Sequence, residues 1–224
     1  MPELSPPAVL YTLMFATAAA SMRGFADSRF FQEFMFNVGQ IRRRRQYYRL
    51  ASSAFLHADW GHLLVNMLVL YLFAPNILNL YGALPFLLLY FGAVLAGNLF
   101  SLFVYQNRPL YTAIGASGGV SGIVFASIAL NPEAQMVFLL LPGLTFPAWV
   151  FATLYFAYSV YMMLNPRAGD NTGHAAHLGG AVCGMLFVLI TLPAVIAANA
   201  PYIAIMSLPL AYMAFRIFSG GRRR

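Results

Sequence analysis

Three short strings hold polar side chains where the surrounding sequence is almost wholly apolar. The first is His57-Ala58-Asp59-Trp60-Gly61-His62-Leu63-Leu64-Val65-Asn66, and the second is Gly115-Ala116-Ser117-Gly118-Gly119-Val120-Ser121-Gly122. The third runs from Asp170 to Gly184 and contains His177, Gly180 and Gly184. A serine hydroxyl is a weak nucleophile until a neighbouring base takes its proton, and histidine can serve as that base. Ser117 stands among small residues at the start of a helical run. There its hydroxyl is unobstructed and its own backbone N–H lacks an intrahelical partner. His177 also heads a helical run, with Gly180 one turn on and Gly184 two turns on. Ser117 heads a matching small face of Gly118, Ser121 and Gly122. Helices packed small face to small face bring their axes close together, and a direct Ser–His hydrogen bond of about 2.6–3.2 Å needs close axes. The same stripes would serve ordinary helix packing, and the two readings are compatible.

His62 and Asn66 are four apart and share a helix face. Both side chains can donate hydrogen bonds. Aimed at one point, they could stabilise a developing oxyanion; equally, they could tie a long loop to the helix. A metal held by His57, His62 and Asn66 is disfavoured, because no cysteine and few carboxylates accompany them. Asp170 is the only carboxylate near the third string and lies outside the helical run, so the pattern reads as a dyad without an acidic third member. No cofactor or metal is implied.

The elements that must position these groups lie in lipid. Hydrophobic residues make up 61% of the chain and charged ones 8%, against roughly 25% charged in a soluble domain. The apolar residues come in long runs that need hydrocarbon as solvent. The reading is an all-α membrane protein, one domain over residues 1–224, with seven spans: about 8–22, 62–80, 85–104, 117–130, 147–164, 177–192 and 194–217. The first is short and is expected to stand near the membrane normal; the fourth is short because it starts inside the bilayer. The starts of spans two, four and six lie on one side of the membrane, and they carry His62 with Asn66, Ser117 and His177.

Residues 23–61 form a long loop rich in arginine and aromatic rings, expected to lie in the interface with Arg42 to Arg45 as a headgroup anchor. A second interfacial piece is expected from Glu133 to Leu141. All 13 basic residues are arginine and the net charge is +7. In so apolar a chain that charge belongs to helix ends and headgroups, not to nucleic-acid binding. The lone Cys183 excludes an internal disulfide and reads as a small packing residue. Met1 to Pro7 carry Glu3 and no basic residue, which argues against a cleavable signal peptide.

Taken together and in this order, the strings H-x-x-x-N at His62 to Asn66, G-x-S-G at Gly115 to Gly118 and A-H-x-x-G at Ala176 to Gly180 resemble the rhomboid family of intramembrane serine proteases. The resemblance covers roughly Tyr48 to Ile190. It implies a six-helix core with one extra C-terminal span, Ser117 as nucleophile and His177 as general base. It also implies an oxyanion hole of His62, Asn66 and the Ser117 N–H. Arg49 matches an arginine of the first loop and His57 a supporting histidine there. Three positions depart from the family pattern. The loop pair is Tyr48-Arg49 instead of Trp-Arg, and Leu78 stands where some members have an acid. Ser121 stands where many relatives stack a tyrosine on the catalytic histidine, so the His177 ring needs another packing partner.

The expected function is cleavage of transmembrane segments of other membrane proteins, with the lipid bilayer as the setting. A non-catalytic rhomboid-like scaffold is the first rival and a transporter the second. A transporter fits less well because the chain has no repeat and its polar groups sit at helix starts. Orientation is contested. The resemblance puts the N-terminus in the cytoplasm and the active side outside, whereas the arginines cluster on that same active side and the positive-inside rule would turn it inward.

Overall fold

The computed structural model describes residues 5–137, 143–167, 170 and 172–220. Among the described residues, five helices are long and apolar enough to cross a membrane: α1 (Pro6–Ala26), α5 (Trp60–Tyr81), α6 (Ala83–Val104), α9 (His174–Thr191) and α11 (Ala200–Gly220). Two shorter apolar helices, α7 (Ser117–Leu130) and α8 (Ala148–Leu164), complete the set. The chain is an integral, multi-pass, all-α membrane protein.

The centre of the bundle is α7, where every residue from Gly118 to Ala129 is buried. At 1.5 Å per residue its 14 residues extend about 21 Å, short of the roughly 30 Å hydrocarbon slab. It is flanked by α9, α6 and α5. The approach to α9 is backbone against backbone. A Cβ on Gly180 would land on the Gly118 carbonyl oxygen, and one on Gly184 on that of Gly122. On its other side α9 also meets α6 backbone to backbone, somewhat less closely: a Cβ on Gly179 would lie 2.8 Å from the Ala96 oxygen. Between α5 and α6 the chain reverses at Gly82, whose φ of +82° suits glycine.

The long first loop is a folded unit. It holds the short helices α2 (Ser28–Phe34), α3 (Val38–Arg44) and α4 (Arg49–Ser52) and a strand, β1 (Phe36–Asn37). β1 pairs antiparallel with β2 (Thr112–Ala113), which fastens the loop to the segment entering α7. Arg49 is buried and donates to the Gln46 side chain at 2.7 Å and to the carbonyls of Gln32 and Met35 at 2.8 and 2.7 Å. These are carbonyls at the end of α2 that the helix itself leaves unpaired. The Arg49 guanidinium also lies 5.5 Å from the Tyr48 ring centre. His57 is fully buried and its hydrogen bonds run in one direction. The Ala116 N–H donates to His57 Nε2 at 3.3 Å, His57 Nδ1 meets Ser21 Oγ at 2.9 Å, and the Ser21 hydroxyl donates to the Phe55 carbonyl at 2.8 Å. Since the one Ser21 hydrogen goes to Phe55, His57 must carry its proton on Nδ1. The ring thereby bolts α1 to the residue just before Ser117.

Several expected boundaries shift. The first span is not short: α1 has 21 residues and continues to Asp27, whose carboxylate then caps α2 through the Arg29 and Phe30 N–H groups. The sixth span starts at His174, so His177 sits one turn inside the helix instead of heading it. The seventh breaks at Asn199 into α10 (Pro193–Ala198) and α11, because the Asn199 amide turns to donate to the Ala129 and Leu130 carbonyls at the end of α7. The piece beginning at Glu133 is a hairpin arm: β3 (Gln135–Val137) pairs antiparallel with β4 (Thr145–Pro147). Residues 138–142 and Arg222 to Arg224 lie outside the described residues.

Two outcomes follow for stability. Gly180→Ala should lower the unfolding midpoint in detergent by an overpacking cost of about 1–3 kcal/mol or more, because its new atom meets backbone. Gly92→Ala, whose Cβ would meet only Cys183 Sγ at 3.9 Å, should leave the midpoint unchanged or raise it. The second outcome concerns pH. Burial, helped by the nearby His62 ring, pushes His57 down from its ordinary 6.5 to about 4. The unfolded chain therefore takes up this proton first. The stabilisation is complete above pH 6.5 and is lost as pH falls towards about 4. Thermal unfolding measured across that window should fall with acidity. His57→Gln should be less stable at neutral pH and show a flatter slope; an unchanged slope would assign the acid sensitivity elsewhere.

Candidate active site

The starts of α5, α7 and α9 converge. His177 Nε2 lies 2.7 Å from Ser117 Oγ, although the two residues are 60 positions apart. For Ser117 to donate, Nε2 must be the bare nitrogen and the His177 proton must sit on Nδ1. The chain reaches Ser117 through Gly115, whose φ is +122°, a region side chains disfavour. Two anchors hold this turn: the Gly115 N–H donates to the Ser53 carbonyl at 3.0 Å, and the Ala116 N–H donates to His57.

Gly115 is also a matter of space. A Cβ there would lie 3.0 Å from His62 Nε2 and 3.5 Å from Ser117 Oγ, so these two atoms flank one small volume. The Ala58 N–H approaches His62 Nδ1 at 3.4 Å, which makes Nδ1 the acceptor and leaves the proton on Nε2, facing Ser117. Asp59 caps α5 by accepting the His62 N–H at 2.8 Å. Asn66 is buried and spends one amide hydrogen on the His62 carbonyl at 2.9 Å; the amide has a second. The Ser117 N–H belongs to the first turn of α7, where a helix offers no internal acceptor. His62, Asn66, Ser117 and His177 all line one cavity of about 1220 Å³, which runs between α5 and α8.

The expected residues divide accordingly. Ser117, His177, His62 and Asn66 meet at the cavity, and Gly115, Gly118, Gly180 and Gly184 make their approach sterically feasible. His57 reaches the site through the Ala116 backbone, and Arg49 acts within the first loop. Asp170 is not aimed at His177. Its carboxylate meets His174 Nε2 at 2.9 Å and accepts the Thr172 N–H at 3.0 Å, and this backbone bond does most to hold it below the usual carboxylate range. Among the described residues, no three His, Cys, Asp or Glu side chains converge where a metal could sit.

Two participants carried no signal in the motifs. Ser21 is one hydroxyl in an alanine-rich span and shows its use only once His57 is folded against it. Tyr155 of α8 lays its ring over His177, with centroids 6.2 Å and planes 24° apart, and so supplies the packing partner that Ser121 cannot. The missing tyrosine at position 121 was the one clue that such a ring had to come from elsewhere.

The arrangement has relatives. The Rhomboid domain profile matches residues 44–194, more than half of the chain. The chain is 34% identical over 138 residues to the presenilin-associated rhomboid-like protein A, mitochondrial, of Danio rerio, a match covering 61% of this chain and 35% of that protein. It is 33% identical over 143 residues to rhomboid protein 1, mitochondrial, of Saccharomyces cerevisiae, covering 62% and 40% respectively. It is 32% identical over 138 residues to the human presenilin-associated rhomboid-like protein, mitochondrial, covering 61% and 36%. The matches thus span little more than a third of each relative's length. With the profile match and the convergence of its three polar strings, the chain belongs to the rhomboid family.

Proposed function

We propose that this protein is an intramembrane serine endopeptidase that cuts transmembrane segments of other proteins, with Ser117 as nucleophile and His177 as general base. The observation that carries this reading is the 2.7 Å contact between Ser117 Oγ and His177 Nε2 at the wall of the cavity. A substrate segment unwinds at its end and enters between α5 and α8. Ser117 Oγ attacks the scissile carbonyl carbon while its proton passes to His177 Nε2. The carbonyl oxygen, now negative, faces His62 Nε2–H, the Asn66 amide and the Ser117 N–H. His177 returns the proton to the leaving amine, the C–N bond breaks, and water activated by the same ring hydrolyses the acyl-enzyme. Substrates with glycine or other weak helix formers near the cut should be favoured, since they open at lower cost.

Labelling of the purified protein in detergent by a fluorophosphonate tests this reading. Wild type should label, and Ser117→Ala and His177→Ala should not. Asn66→Ala should react about 10²–10³-fold more slowly, the usual effect of losing one oxyanion donor. A folded wild type that fails to label beside a reactive serine protease would shift the reading to a non-catalytic scaffold.

We assign the active side to the face away from the cytoplasm. The arginines of the first loop weigh less against this than their number suggests, because two of them are structural. Arg42 donates to the Gln106 carbonyl at 2.5 Å and Arg49 is buried among carbonyls, so they do not behave as free charges flanking a span. Protease added to right-side-out cells should cut at Arg42 to Arg45; full protection of that loop would reverse the assignment.

A further inference from the structure

A hydrogen bond from Ser117 fixes one nitrogen of His177 but leaves the ring free to swing about that contact, since the second torsion of histidine has broad, shallow preferences. Something must hold the ring's plane. His174 lies across it, with centroids 6.3 Å and planes 71° apart, and does not stack on it. The Tyr155 ring lies nearly parallel to it in an offset stack, with centroids 6.2 Å and planes 24° apart. The tyrosine is itself held: its hydroxyl lies 3.1 Å from Ser121 Oγ, and its ring is flanked by Phe125 at 5.3 Å and Phe151 at 5.7 Å. Ser121 lies one turn beyond Ser117 on α7. The nucleophile and the hydroxyl that fixes the base's support therefore come from one rigid helix, and the loop of contacts Ser117–His177–Tyr155–Ser121 closes on it.

From this closed loop we infer that Tyr155 is a positioning residue. Carried on α8 and registered to α7 by Ser121, it sets the plane of His177 for proton transfer. The inference rests on the reading of Ser117 and His177 as a dyad. It also has a consequence for entry, because Tyr155 lines the cavity together with Phe151 of the same helix. A segment pushing α8 outward would take the base's support with it, so the site is competent only while α8 is seated.

The test uses fluorophosphonate inactivation kinetics, which separate the maximal inactivation rate from the half-saturating probe concentration. Tyr155→Leu should lower the maximal rate at least about tenfold and move the half-saturating concentration less than about twofold, as expected for a misaligned base. Tyr155→Phe keeps the ring and loses only the Ser121 bond, and should slow the maximal rate only about two- to fivefold, well short of the loss in Tyr155→Leu. A Tyr155→Leu protein that inactivates at the wild-type maximal rate, with only the half-saturating concentration raised, would make Tyr155 a cavity wall and overturn the positioning role. If Tyr155→Leu does not fold, Ser121→Ala decides: slowing of about two- to fivefold supports the role, and a wild-type rate overturns it. No labelling of the wild type would overturn the dyad reading and this one with it, which distinguishes that failure from a defect confined to Tyr155.

Discussion

Where α7 crosses α9, the carbonyl oxygens of Gly118 and Gly122 occupy the places that Cβ atoms would take on Gly180 and Gly184. No side chain mediates the approach. In lipid there is little hydrophobic drive to bring helices together, so contact this close has to come from van der Waals packing of bare backbone. The remaining geometry depends on it. Ser117 and His177 each sit at the head of one of these faces, and a separation larger by one methyl group would take their 2.7 Å contact out of hydrogen-bond range.

Around that seam the chain spends its few polar side chains on holding backbone. Ser53, through its carbonyl, and His57 steady Gly115 and Ala116; Arg49 satisfies the end of α2; Asp59 caps α5. Each bond satisfies a backbone group that its own helix or turn leaves unpaired. The first loop is therefore best understood as scaffold for the turn that presents Ser117. Its strand β1 is joined to β2 only a few residues before Gly115.

The sequence conveyed the parts of this arrangement that are local. A serine among glycines at a helix start, and a histidine with glycines at i+3 and i+7, are patterns that a reader can see without the fold, and they pointed to the seam and to the Ser117–His177 contact together. Long apolar runs likewise marked the spans, and the missing tyrosine at Ser121 marked a gap in the packing. What was illegible was non-local or degenerate. The fifth span is rich in rings, among them Trp149, Phe151, Tyr155, Phe156, Tyr158 and Tyr161, and no periodicity says which of them meets His177. A short apolar stretch such as Gln135–Val137 suits a strand or a dipped segment equally well, and only its pairing with Thr145–Pro147 decides. The first helix runs on through Arg23 and Gly24, past the expected end at residue 22. The real stop is Asp27, which serves the next helix as its cap.

The far end of α7 carries one more implication. The last carbonyls of a helix find no partner within it. Here the amide of Asn199 answers two of them, at Ala129 and Leu130. The residue that breaks the seventh span is thus the local solvent for the fourth, and α11 reaches its seat on α8 from that fixed point. The last helix, although most of its surface faces outward, is joined to the core through the donor just before it, which the end of α7 needs.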